Sequence, residues 1–273
     1  MSSSSAQLTV LVKASPVLTS HLEETMCVAG VRTDLDAPAW IRLHPVPFRD
    51  LLKTQQFAKY QEVSVQVLPP VSDRRPESFR PIEGSMTLGG RLSAADNWAA
   101  RRALVAGLGE VTMCQLVAAN RAGSGPETPS LAVVRLAAPP KFLIAMRDAD
   151  QIEKWQQRAD AVAGRLSLFE SSGGTKPFFE VVRWRFSYRY KCLEPDCRTH
   201  TQTIVDWEAE ALWRNVRHHD NWRELMTAKF EHEMWHGRDS LLFVGNQEQH
   251  PHSFLVLGVF WPPDVEYQRA FVI

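Results

Sequence analysis

RWRFSYRYKCLEPDCRTHTQTIVDWE, residues 183–208, carries the strongest local patterns in the chain. With Val182 added, its first part alternates strictly. Val182, Trp184, Phe186, Tyr188 and Tyr190 fall on one side, and Arg183, Arg185, Ser187, Arg189 and Lys191 on the other. A period of two marks a β-strand, and no 3.6-residue pattern fits it. The aromatic side reads as core, because large rings bury well. The basic side reads as solvated, with its cations about 6.6 Å apart along the strand. That spacing approximates the repeat of a nucleic-acid backbone, so Arg183, Arg185, Arg189 and Lys191 are candidate phosphate contacts. Arg74, Arg75 and Arg80, with Arg101 and Arg102 beyond them, extend that set.

The strand leads directly into Cys192-x4-Cys197-x2-His200. Thiolates and imidazole suit zinc, which takes four tetrahedral ligands from any mixture of Cys and His. The intervening Leu-Glu-Pro-Asp can turn and bring both sulfurs to one side. Cys192, Cys197 and His200 therefore read as part of a structural zinc knuckle. The fourth ligand stays open between Cys27, Cys114, His218, His250, His252, Asp206 and water. The competing reading is two reduced cysteines beside a solvated His200.

A second pattern, His232-Glu233-Met234-Trp235-His236, satisfies H-E-x-x-H, the zinc-protease signature, inside a predicted helix. On a helix both histidines share a face and Glu233 stands as base. Gly237 ends that helix at once, and only a distant Glu248 or Glu266 is available to complete the site. A zinc-dependent hydrolase is thus one alternative function, and a pure protein-interaction subunit is another. Asp206 and Glu208 read as helix-opening acids favoured by the dipole. No P-loop, G-x-G-x-x-G or G-x-S-x-G occurs.

Thirty-one basic and thirty-one acidic residues cancel, so any nucleic-acid contact has to come from a local patch. A composition 44% hydrophobic and 23% charged is that of a folded protein. No apolar run approaches the ~20 residues needed to span a bilayer, and MSSSSAQ at the start lacks a signal-peptide pattern. Cysteines at 27, 114, 192 and 197 suggest no secreted disulfide framework, so a cytoplasmic setting is expected.

Short strands are predicted at 7–13, 25–32, 40–43 and 61–68, the last placing Val63, Val65 and Val67 on one face. Pro45 and Pro47 are expected to take the chain out of the sheet, and residues 72–84 to form an exposed loop. Ser93 and Asp96 suggest a capping box for a helix to Ala106 stopped by Gly107. A short helix at 114–120, strands at 131–136 and 142–147, and a helix from Asp150 follow. Helices at 206–217 and 221–235 and strands at 241–245 and 254–261 complete the chain. The expected division is 1–138, a barrel region with a helical insertion, and 139–273, an α+β region with the knuckle, allowed to share one core.

Residues 24–49, through Cys27, Ala29, Gly30, Trp40, Ile41 and Arg42, resemble the C-x-A-G-x…W-I-R opening of bacterial proteins described as dual OB-domain proteins. The segment HPVPFR (44–49) departs from that pattern. RPESFRP, the Cys-Cys-His knuckle with Asp206-Trp207-Glu208, and FVGN…GVFWPP are similar to a poorly characterised bacterial family of like length. The resemblance implies an OB-like barrel with nucleic-acid affinity, in mobile-element or defence neighbourhoods, and supplies no catalytic residue. A PUA-like barrel fits equally. The expected molecule is an α+β protein of small OB/PUA-like β-barrels with helical insertions and a structural zinc. Its expected role is non-enzymatic nucleic-acid binding, within a larger protein complex and away from membranes.

Overall fold

In the computed structural model, residues 3–18, 24–123, 128–169 and 180–264 are described. Apolar alternation in the first part of the chain produces β1 (Ser4–Lys13), β2 (Val17–Leu18), β3 (Glu24–Arg32), β4 (Ala39–Val46), β5 (Gln61–Leu68), β6 (Ser78–Pro81) and β7 (Thr87–Arg91). Five of these strands form a closed ring in the order β1-β3-β4-β6-β5, because β5 returns to pair with β1. The contact of β4 with β6 is parallel, and the other contacts in the ring are antiparallel. Closure removes the exposed edges an open sheet of this size presents. Leu8, Val10, Met26, Val28, Ile41, Leu43, Val63, Val65 and Val67 fill the barrel. A Cβ at Gly30 would sit 2.3 Å from the Thr9 carbonyl oxygen, so only glycine permits the close approach of β1 and β3.

Two sequence expectations change here. β4 does not leave the sheet at Pro45 but runs to Val46, with a cis His44–Pro45 bond. Between Val28↔Leu43 and Met26↔Val46 it gains one residue over β3. Such a bulge accommodates a residue without an N–H. Nor are residues 72–84 all loop, since Ser78–Pro81 are β6, the stave between β4 and β5.

The rest of the chain adds α1 (Ala95–Ala106), β8 (Glu110–Val111), α2 (Met113–Ala122), β9 (Leu131–Arg135), β10 (Lys141–Met146), α3 (Ala149–Phe169), β11 (Trp184–Tyr190), β12 (His200–Thr203), α4 (Trp207–Val216), α5 (Trp222–Thr227), β13 (Leu241–Gln247) and β14 (His250–Phe260). The runs LAVV, LLFVG and FLVLGVF are apolar without alternation, which fits strands buried on both faces. They form a four-stranded sheet ordered β14-β13-β9-β8. Leu131, Val133, Leu241 and Phe243 pack with Ala29, Val31 and Trp40 on the outside of the barrel. Ala132, Val134, Leu242 and Val244 join the opposite core with Phe142, Phe186, Tyr188, Trp213 and Phe230. A three-stranded sheet, β10-β11-β12, belongs to this last layer. The molecule is therefore mixed α+β, with a barrel and a helix-bearing layer sharing the sheet between them.

α1 opens differently from the capping-box expectation. Asp96, Asn97 and Trp98 take left-handed backbone angles, and Ser93 Oγ accepts only from the Ala95 N–H. Trp98 thereby packs edge-on to Tyr60 and Phe260. The capping box of this region lies instead at Thr112 and Gln115, at the start of α2. No helix among the described residues is long and apolar enough to cross a membrane.

Two buried polar contacts cross between the layers. The Lys59 ammonium meets Asp206 Oδ1 and Oδ2 at 3.0 and 2.8 Å, with Asp206 only 2% exposed. The Arg42 guanidinium donates to Ser130 Oγ at 2.9 Å and to the Ser130 and Asn246 carbonyls at 3.2 Å. Removing one partner of a buried pair leaves a bare charge, at a cost of about 3–5 kcal/mol. Asp206→Ala should lower unfolding stability by that amount in urea titration, whereas Lys59→Met with Asp206→Leu should lose much less. Near-wild-type stability of the single variant would remove the pair from its assigned role.

Candidate metal centre

The alternation of β11 is followed in part: Trp184 on the aromatic side is half-buried, and Ser187 on the basic side is buried. Phe186, Tyr188 and Tyr190 are buried, and Arg183, Arg185, Arg189 and Lys191 are exposed. Burial of Tyr190 anchors the chain just before Cys192, and Cys192 itself bridges to Leu136 beyond the end of β9. The knuckle then turns through a Cys197 N–H bond to the Glu194 carbonyl, 3.0 Å, and enters β12 at His200. These three residues are joined by Cys114, in the first turn of α2.

The ligand atoms of Cys114, Cys192, Cys197 and His200 all lie within 4.8 Å of one another. Sγ of Cys192 is 3.4 Å from Sγ of Cys197 and 3.7 Å from Sγ of Cys114. His200 Nε2 is 3.5 Å from Cys114 Sγ and 3.9 Å from Cys192 Sγ. A tetrahedral ion with bonds of about 2.3 Å to sulfur and about 2.0 Å to nitrogen needs edges of roughly 3.5–3.8 Å. The four side chains thus sit at the corners of a metal-sized tetrahedron. Such a donor set can hold one soft or borderline metal ion and leaves no protein-free corner for catalysis.

The surroundings hold the ligands in place. Thr112 Oγ1 accepts from the Gln115 N–H and donates to Glu194 Oε2 at 3.0 Å, so the helix cap is tied to the knuckle. Buried Gln202 accepts from the Tyr190 hydroxyl at 2.5 Å and donates to Met113 Sδ at 3.3 Å, one residue before Cys114. The Cys192 N–H points at Cys197 Sγ, 3.3 Å away. Cys197 Sγ also lies 3.0 Å from the Arg198 carbonyl, a contact that a thiol makes as donor and a thiolate has to lengthen.

Burial, followed by the neighbouring thiols, pushes Cys114 up to about 12. Burial also raises Cys197, whereas at Cys192 backbone and thiol hydrogen bonds outweigh burial and lower it. Burial lowers His200, keeping its imidazole neutral as a ligand must be. Three adjacent sulfurs ionise together only around a cation.

Of the fourth-ligand candidates, Cys114 is the residue brought in. Asp206 is occupied by Lys59 and by the Glu208 N–H, at the start of α4 as its helix-opening reading predicts. Cys27 lies in β3, its thiol raised by burial, and is outside the cluster. His218 accepts from Arg217 Nε, His250 starts β14, and His252 is exposed beside the cluster. The capping box at Thr112 and Gln115 is the local signal that places Cys114 on a helix's first turn.

The H-E-x-x-H segment has another structure. Ala228–Glu233 form a π-helical turn in which the Met234 N–H bonds to Lys229 O rather than Phe230 O. The freed Phe230 carbonyl accepts from the Tyr188 hydroxyl at 2.6 Å and Trp235 Nε1 at 3.1 Å. Met234 and Trp235 are therefore core, and His232 and His236 are exposed with ring centroids 5.5 Å apart. Glu233 is paired with Lys229 at 2.6 Å. Among the described residues no third ligand joins the two histidines, and Glu266 lies outside those residues.

The outlying arginines divide. Arg74 is exposed, but Arg75 is paired with Asp73 at 2.6 Å and donates to the Asn246 carbonyl at 2.7 Å. It holds the barrel to β13, and that takes it out of a free basic surface. Arg80 is half-buried with Nε enclosed. Arg101 stacks on Tyr60 and Trp98, and Arg102 pairs with Asp239.

Residues 109–272 match the model of the Domain of unknown function DUF8757. The chain belongs to the DUF8757 family. Residues 4–107, which contain the barrel, match a second model, the Domain of unknown function DUF8758. No curated protein matches the sequence. A solved murine DNA-binding protein bound to double-stranded DNA is 10% identical, with 76% of this chain and 75% of that chain covered. Its TM-score of 0.26 is too low for any inference about fold or ligand.

Metal content gives the direct check. Purified protein should carry about one equivalent of a thiophilic ion, and Cys114→Ser should reduce it as severely as Cys192→Ser. His236→Ala should leave it unchanged. Loss of metal only in His236→Ala would overturn the assignment. Chelation should also lower the thermal midpoint, because binding energy of a structural ion is folding energy.

Acid titration checks the reassignment of Arg75. Burial opposes ionisation of Asp73, but hydrogen bonds from Arg75 hold its carboxyl down to about 2. The stabilisation it contributes is present above the unfolded value of about 4 and is lost as pH falls through the folded one. Asp73→Asn should therefore be less stable than wild type at pH 7, with the difference closing towards pH 2.

Proposed function

We propose that the protein is a non-enzymatic nucleic-acid-binding module whose binding strand is held by a structural zinc ion at Cys114, Cys192, Cys197 and His200. The observation that carries the reading is the state of the cations on β11 and at its two ends. The side chains of Arg183, Arg185, Arg189 and Lys191 are exposed and have no hydrogen-bond or ion-pair partner among the described residues. Elsewhere arginines such as Arg32, Arg49, Arg75, Arg102 and Arg135 are paired with carboxylates. In the register of the three-stranded sheet, Arg185 stands beside Ala145, and Arg189 lies between Lys141 and Thr201. Arg185 and Arg189 are both exposed in this register, and arginine matches phosphate with two parallel donors.

An OB-like assignment of the barrel is part of the proposal. Five strands, a first strand paired with the second and fourth, and a third parallel to the fifth support it. OB domains bind oligonucleotides on the face of their second and third strands. Here Ala29 and Val31 of β3 and Trp40 of β4 pack on the four-stranded sheet, which favours a surface on the other layer. Arg74, in the loop before β6, is exposed, and its side chain has no partner among the described residues. Service within a larger bacterial defence or nucleic-acid-processing complex belongs to the same proposal and rests on the resemblance of residues 24–49.

Fluorescence anisotropy with labelled single strands and duplexes tests this reading. Affinity should fall steeply with salt, and Arg185→Glu with Arg189→Glu should weaken binding by more than about tenfold and flatten the salt slope by roughly two phosphate contacts. Unchanged affinity in the double variant, with metal still bound, would dispose of it.

A further inference from the structure

Beside the metal cluster opens a cleft of about 790 Å³, within the ~300–1,000 Å³ range of small-ligand sites. One wall is a face of α2: Cys114, Val117, Ala118 and Arg121 recur at helical spacing. Cys114 and Arg121 are separated by about 10 Å along that helix. The other walls come from Arg198 of the knuckle, Thr201 of β12 and His252–Phe254 of β14.

We infer that this cleft binds a nucleotide unit, with Arg121 and Arg198 as its phosphate contacts. Both side chains are exposed and have no hydrogen-bond or ion-pair partner among the described residues. Against these guanidiniums the lining sets one carboxylate, Asp196, while His252, Thr201 and Ser253 offer further polar groups. Val117, Ala118 and Phe254 give the same cleft an apolar part. Cations and apolar surface lining one cleft suit a ligand that is anionic at one end and a flat ring at the other. Cys114 and His200 line the cleft through their half-buried sides, so a bound ligand lies against the metal's ligands without replacing one.

The site stands apart from the β11 surface, although Thr201 touches both through its register with Arg189. The test is calorimetric titration of the full, metal-loaded chain with a 5′-phosphorylated thymidine dinucleotide, with unphosphorylated thymidine and with inorganic phosphate. Arg121→Ala with Arg198→Ala should weaken dinucleotide binding about tenfold or more, the scale expected for lost charge-assisted bonds. Ala118→Trp, which fills the cleft without changing its charge, should do the same. Arg185→Glu with Arg189→Glu should change it by less than about twofold, because that surface contributes only longer-range charge. Both cleft variants should retain the metal.

Dinucleotide affinity unchanged in both cleft variants overturns the inference, and so does a loss seen only in the β11 variant. Equal affinity for inorganic phosphate and dinucleotide overturns the nucleotide assignment. Failure of long strands to bind β11 leaves this result untouched, so the two readings fail separately.

Discussion

The arrangement depends on one buried ion pair, Lys59 with Asp206. Asp206 follows β12, bridges to Ala14 at the end of β1, and caps α4 through the Glu208 N–H. Gly258 of β14 lies so close that an added Cβ would be 3.3 Å from Asp206 Oδ2. One carboxylate therefore fixes the relative position of the barrel, the central sheet and the first helix of the outer layer. Burial, aided by the charge of Glu208 and opposed by Lys59, pushes the Asp206 carboxyl up to about 6. Lys59 is held protonated against burial by the two carboxylates. The same crowding, with burial first, brings Lys13 down to about 8 over the Phe48 ring. An ion pair like this adds little net stability compared with apolar packing, but it allows few alternative arrangements of its neighbours.

The Cys/His tetrahedron solves a different problem. Glu194, Asp196 and Arg198 make the knuckle too polar to be fixed by burial, yet it has to hold β12 in register with β11. Tying it to α2 through Cys114, Thr112 and Gln202 sets the first turn of one helix against the end of one strand. Phe142, Phe186, Tyr188 and Phe230 then supply the apolar packing underneath, with Phe142 stacked between Phe186 and Phe230. The π-helical turn serves that core, since it turns the Phe230 carbonyl towards Tyr188 and Trp235. This accounts for a protease-like pattern whose two central residues face inward.

Much of this was legible locally. Alternation located β5 and β11, apolar runs located the strands at 131–136, 241–245 and 254–261 but not the sheet they share, and the cysteine spacing marked three corners of the tetrahedron. What escaped reading depends on distance along the chain. Cys114 lies 78 residues before Cys192, and no helical or strand period links them. Ser78–Pro81 is too short and too proline-rich to read as a strand, and becomes one because Arg42 and Leu43 offer a parallel partner. Arg75 looks like a surface cation until Asp73 and the Asn246 carbonyl enclose it. The left-handed turn at Asp96–Trp98 is set by where Trp98 packs, not by helix propensity.

The layer order also constrains where a ligand can be met. The central sheet is apolar on both faces and has to be covered twice, once by the barrel and once by the aromatic core. Covering it uses the outer surface of β3 and β4. Exposed, unpaired cations then remain on the third layer, along β11 and around the cleft beside the metal ligands. The two surfaces draw on β11, β12, α2, β14 and the knuckle, and the tetrahedron joins α2 and β12 through the knuckle that follows β11. Under the proposed function a metal ion there would act by geometry, holding β12 and α2 to the knuckle so that the proposed phosphate contacts keep their spacing.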